Sequence, residues 1–140
     1  MPNRLTRGLG LFGDVKGPQG VKGEFLLRNT VARTDTVAKN LFTLPKDFVP
    51  SSIEVWGAAV SDAGTTATVS VGKSGGTGAE FLSAFDVKGA TGNGQQFPSA
   101  ALLIGTALVA DTIVTGTYAE TGTASTTGGP WTVIIRGTMS

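Results

Sequence analysis

The stretch Ser51-Ser52-Ile53-Glu54-Val55-Trp56-Gly57-Ala58-Ala59-Val60-Ser61-Asp62-Ala63-Gly64-Thr65-Thr66-Ala67-Thr68-Val69-Ser70-Val71-Gly72 decides the fold. Ile53, Val55 and Gly57 alternate with Glu54 and Trp56, and Ala67, Val69 and Val71 alternate with Thr66, Thr68 and Ser70. A period of two marks a strand that buries one of its faces. Asp62-Ala63-Gly64 between the two runs supplies the turn.

The same texture extends in both directions. Short β-branched or apolar runs at Val37 to Leu44, Ser52 to Val60, Thr66 to Gly72, Glu80 to Val87, Ala101 to Val109, Thr112 to Ala119 and Pro130 to Gly137 are candidate strands. Turn clusters such as Ser74-Gly75-Gly76, Gly92-Asn93-Gly94 and Thr127-Gly128-Gly129 separate them. No stretch combines helical periodicity with caps. Seven or eight strands without helices predict an all-β, antiparallel two-sheet sandwich, jelly-roll-like, over residues 37–140.

Residues 1–36 read differently. Gly8, Gly10, Gly13, Gly17, Gly20 and Gly23 recur too often for a helix or a packed strand, since each adds backbone entropy that folding must overcome. An extended N-terminal arm is expected, of which Glu24 to Arg33 is able to add a strand to a sheet edge, its own or another chain's. The net charge of +1 divides unevenly: residues 1–39 hold seven cations against three acids, and residues 40–140 hold four against seven.

Composition narrows the chemistry. The 140 residues contain no cysteine and no histidine, and 15% are charged against about 25% in an average domain. Thiolate metal sites and disulfides are excluded by the first absence, and the commonest general base and zinc ligand by the second. The expectation is no enzyme, no cofactor and no metal. The most apolar run, Ala100 to Ala110, has 11 residues against the roughly 20 that cross a bilayer, so no membrane partner is expected. Met1 to Gly23 lacks the apolar centre of a signal peptide, which predicts synthesis and folding in the cytoplasm.

Several motifs have plainer uses. Gly8-Leu9-Gly10-Leu11-Phe12-Gly13 has the letters of the dinucleotide fingerprint, but no strand precedes it and no helix passes through Gly13, Gly17 and Pro18. Gly17-Pro18-Gln19-Gly20-Val21-Lys22-Gly23 imitates collagen for two triplets and then loses phase. The arm's cations are evenly spaced and diluted by acids, with only Phe12 and Phe25 interleaved, so no nucleic-acid partner is expected. Asp62, Asp86 and Asp111 stand at strand ends, where an aspartate caps turn amides. Trp56 lies on the strand face opposite Ile53 and Val55, and with Trp131 it is a candidate subunit interface.

The runs Val49 to Gly57, Ser61 to Gly72 and Asp86-Val87-Lys88 give residues 37–140 a Gly/Thr-rich texture. This texture, behind an extended N-terminal segment, resembles the head decoration or cement proteins of tailed bacteriophages. The resemblance implies a jelly-roll-like domain on the outer surface of the virion, bridging neighbouring major capsid subunits and stabilising the head, often as a homodimer or homotrimer. Arg4, Arg7, Leu9, Leu11, Phe12, Lys16, Lys22 and Phe25 are then the expected partner-binding residues of the arm. A rival reading is a receptor- or glycan-binding domain of a phage tail fibre or baseplate, using Trp56 or Trp131 with Asn93, Gln95 and Gln96.

Overall fold

A computed structural model describes residues 23–96 and 106–140. Within them the chain is all-β, with eight strands and no helix. They are β1 (Glu24–Val31), β2 (Lys39–Leu44), β3 (Phe48–Gly57), β4 (Thr66–Lys73), β5 (Leu82–Asp86), β6 (Gly92–Asn93), β7 (Thr112–Thr121) and β8 (Trp131–Met139). Two four-stranded antiparallel sheets form, in the orders β1-β8-β3-β6 and β2-β7-β4-β5.

These orders are those of a long hairpin folded over on itself. Strands 1 and 8, 2 and 7, 3 and 6, and 4 and 5 each pair antiparallel, and the β8–β3 and β7–β4 contacts close the two sheets. The arrangement is the eight-stranded jelly roll. Its core lies between the sheets, where Ile53, Val55, Trp131, Val133 and Ile135 of one meet Leu44, Ala67, Val69, Val71, Val114 and Tyr118 of the other. The alternation visible in residues 53–57 and 66–71 is therefore the alternation of core and surface.

Residues 24–31, the part of the arm expected to be able to add a strand to a sheet edge, form the edge strand β1, which pairs along its whole length with β8 of the same chain. The strand anticipated over Ala101 to Val109 does not form in its described part: residues 106–111 are irregular, and residues 101–105 lie outside the description. Only Leu108 there is buried; it is pinned by Asp47 N–H donating to its carbonyl and its own N–H donating to Phe48 O, each at 2.9 Å, while Val109 is 89% exposed.

The wrapping sends the connections to two ends. Residues 32–38, 58–65, 87–91 and 122–130 gather at one end, tied by Arg33 to Ser125 O, Asp62 to Thr126, and Ser61 N–H to Val87 O. At the other end Lys46 N–H meets Asp111, Ser140 N–H meets Asp47 O, and β1 begins.

Candidate docking surface

The outer face of the β1-β8-β3-β6 sheet is set by register. Ile134 and Arg136 of β8 alternate with the buried Val133 and Ile135 and so point away from the core. Across the sheet, Leu26, Arg136 and Ser52 share one row; Arg28, Ile134 and Glu54 share the next; Thr30, Thr132, Trp56 and Gly92 share a third. Residues up to 110 positions apart in the chain thus become neighbours on one surface.

Glu54 organises the centre of this face. Its Oε1 accepts the Trp56 indole N–H at 3.1 Å, and its Oε2 lies 3.5 Å from Arg136 Nε. An exposed ion pair of this kind adds at most about 1 kcal/mol to stability. Its consequence is geometric, because one carboxylate fixes the orientation of both a tryptophan and an arginine. Trp56 remains 49% exposed, and Gly92 on β6 exists for it: a Cβ at that position would overlap the indole ring. Leu26, 44% exposed, continues the apolar surface to the sheet edge. Tryptophan and arginine on a flat, partly apolar face are the side chains that dominate protein interfaces.

The outer face of the second sheet has another character. Thr66, Thr68 and Ser70 of β4 lie opposite Thr121, Ala119 and Thr117 of β7, and the Thr66 and Thr121 hydroxyls are 2.6 Å apart. These six side chains are small and uncharged, and exposed Asp86 of β5 stands beside Thr68 in the same row.

The carboxylates at the two ends serve the loops. Asp62 accepts the Thr126 and Thr127 amides and the Thr126 hydroxyl at 2.7–2.9 Å, and these bonds, the Thr127 amide first, hold its pKa far below the usual range. Asp86 caps the Lys88 and Gly89 amides, and Asp111 caps that of Lys46. Glu80, 4% exposed, is wrapped by its own loop: Oε1 accepts Lys73 N–H at 2.9 Å and Gly78 N–H at 3.2 Å, and Oε2 accepts the Thr77 amide and hydroxyl. Burial alone would raise its pKa, but the Lys73 and Thr77 amides and the Thr77 hydroxyl outweigh it and hold the pKa at about 2. Glu120 closes a chain at the opposite end, accepting from the Tyr118 hydroxyl at 2.8 Å, with that oxygen 2.6 Å from Ser61 Oγ. Its pKa is lowered, first by Ser125, then by Tyr118. Carboxylates satisfied in this way are structural acceptors, as the sequence predicts for the three aspartates.

The fold has counterparts among solved structures. One chain of the capsid asymmetric unit of cyanophage Pam1 aligns with a TM-score of 0.65 at 19% identity, covering 96% of this chain and 98% of that one. A chain from the acid-stable capsid of Helicobacter pylori bacteriophage KHP30 aligns with a TM-score of 0.62 at 14% identity, covering 85% and 90%. At these identities the likeness is one of fold. No family model matches the sequence, and no curated protein does.

Of the residues singled out from sequence, Trp56 lies on the surface as its strand parity requires. Trp131 does not. It is fully buried, stacked on Tyr118 with ring centroids 5.4 Å apart, and a Cβ at Gly57 or Gly129 would run into its ring. It therefore offers nothing to another subunit or to a sugar, and a two-tryptophan platform is ruled out. Phe25 sits on β1, 48% exposed. Arg4, Arg7, Leu9, Leu11, Phe12, Lys16 and Lys22 lie outside the described residues. Glu54 and Arg136 were not anticipated; their partnership appears only once β3 and β8 are paired.

Proposed function

We propose that the chain is a non-enzymatic virion protein that binds the outer surface of an assembled phage capsid and bridges neighbouring major capsid subunits. The observation that carries this reading is a jelly roll shared, over nearly the full length of each chain, with chains in two phage capsid assemblies. Those chains are about the size of this one, as expected of a small accessory subunit. The Trp56–Glu54–Arg136 face supports the same reading, because it supplies an oriented anchor on a rigid sheet. Residues 1–23 then add a second attachment through Arg4, Arg7, Lys16 and Lys22 to acidic surface and through Leu9, Leu11 and Phe12 to apolar surface. Two linked attachments raise avidity by roughly 10² to 10⁴ over either alone.

A ligand that binds the assembled lattice better than separated subunits stabilises the lattice. Purified chain should therefore co-sediment with capsids lacking it, and DNA release on heating should occur at the highest temperature with full-length protein, lower with residues 1–23 deleted, and lowest with none. Identical release in all three, with the domain still bound, would remove the bridging role. Failure to co-sediment, together with binding to a soluble glycan, would favour the fibre reading instead.

A further inference from the structure

The free edge of β1 carries its own complement. Thr30 directs both backbone groups away from β8: its N–H donates to Asn29 Oδ1 and its carbonyl accepts from Lys39 Nζ, each at 2.8 Å. In an antiparallel ladder alternate residues point the same way. Arg28, Leu26 and Glu24 therefore turn their N–H and C=O groups to the open edge, and no described residue bonds to them. Among the described residues the edge is closed at Thr30 and open from Glu24 to Arg28. Unprotected edges of this kind are templates for a further strand.

The side chains say which strand fits. Glu24, Leu26 and Arg28 lie on one face of β1, in rows with Thr138, Arg136 and Ile134, and all three are exposed. Two copies of β1 placed antiparallel about a two-fold axis at Leu26 put Glu24 of each against Arg28 of the other and Leu26 against Leu26. All three residues then present outward backbone groups to outward backbone groups, so each copy exchanges its ladder bonds in full. Shifting the register by two residues towards the C-terminus places Glu24 against Thr30, whose groups are already taken. Shifting it the other way leaves Glu24 against Leu26 and loses both charge pairs. A parallel, in-register alignment sets like charges side by side. We infer that the partner of the β1 edge is a second copy of this chain, joined by Glu24–Arg28 of each into a continuous eight-stranded sheet.

Such a contact is isologous, as closed dimers require, and its modest extent belongs to the weak class of interfaces. The inference concerns the free chain, and it stands or fails independently of capsid attachment. Sedimentation velocity of the full-length protein should show a concentration-dependent monomer–dimer equilibrium. Glu24→Arg or Arg28→Glu alone should raise the dimer dissociation constant about tenfold or more, since each change sets like charges opposite one another twice. The double variant carrying both should restore it. Because the chain has no cysteine, Leu26→Cys provides a second readout. Across a hydrogen-bonded pair the Cα atoms lie about 5.5 Å apart, a separation that suits a disulfide, so mild oxidation should cross-link two copies. Cysteine at Thr68, on the other sheet, should not do so. A chain that stays monomeric at millimolar concentration, a dimer indifferent to the single charge reversals, or equal cross-linking through both cysteines would each overturn the inference and leave the edge to another occupant.

Discussion

Replacing Glu80 by glutamine should destabilise the domain by about 2–3 kcal/mol at neutral pH. Four donors converge on the carboxylate: the Lys73, Thr77 and Gly78 amides and the Thr77 hydroxyl. Glutamine preserves the volume but has one acceptor oxygen, so part of this set faces its NH₂ group and goes unsatisfied. Losing hydrogen bonds to a charged acceptor costs about 1.5–3 kcal/mol, and an orphaned buried N–H about 1–3 kcal/mol. The loop's partial access to water, and the one acceptor oxygen that glutamine keeps, favour the bottom of their summed range, about 2–3 kcal/mol. For a domain of this size the change corresponds to a fall in Tm of about 8–12 °C. The pH dependence gives a sharper test. Glu80 titrates near 4.5 when unfolded and near 2 when folded, so its contribution is complete above about pH 4.5 and is lost as the pH falls to 2. The difference in Tm between wild type and Glu80→Gln should hold constant from pH 7 to 5, narrow below that, and vanish near pH 2. Scanning calorimetry across this range measures it. A difference below about 0.5 kcal/mol at pH 7, or one unchanged between pH 5 and pH 2, would refute the reasoning that the carboxylate's charge holds the loop.

Two further outcomes follow from the two tryptophans. Gly57→Ala should cost about 1–3 kcal/mol, because its Cβ would press on the buried Trp131 ring, and denaturant unfolding followed by tryptophan fluorescence reads this. Trp56→Ala should change stability by no more than about 0.5 kcal/mol, since the ring is half exposed, yet weaken co-sedimentation with capsids by about 30-fold, the loss typical of an interface anchor.

What the sequence reveals of the fold depends on how one-sided each strand is. β3 and β4 bury one face and expose the other, so their parity is written in Ile53 to Gly57 and Thr66 to Val71. β1 is an edge strand whose first three residues are all exposed, and Glu24-Phe25-Leu26-Leu27 carries no alternation to read. That is why it merges with the glycine-rich segment before it. The described part of Ala101 to Val109 differs for the opposite reason: its composition is apolar, but among residues 106–109 burial falls on Leu108 alone, without the alternation of a strand. Trp131 was recoverable. It shares parity with Val133 and Ile135, and that phase places it in the core as surely as the phase of Trp56 places that residue outside.

The surface was less legible because its units are cross-strand rows. Asp62, Asp86 and Asp111 could be read as caps from their turn sequences, since a cap is largely a local device, although Asp62 and Asp111 in fact cap amides 64 and 65 residues away. Glu54 and Arg136 could not be joined without knowing that β3 and β8 are neighbours and that the register slips between Pro50 and Ser52. The slip matters because one residue of displacement turns every side chain of a strand to the other face. Without it, Phe48 and Pro50 would share a face with Ser52, Glu54 and Trp56 and stand in solvent; with it, both stay buried in phase with Ile53 and Val55. The bulge thus lets one strand keep apolar residues inside along its full length while delivering Glu54 and Trp56 to the row that Arg28 and Thr30 of β1 enter from the other side. The proposed docking face and the proposed dimer edge are therefore two parts of one sheet, and any strand added at β1 extends the same surface that carries Trp56.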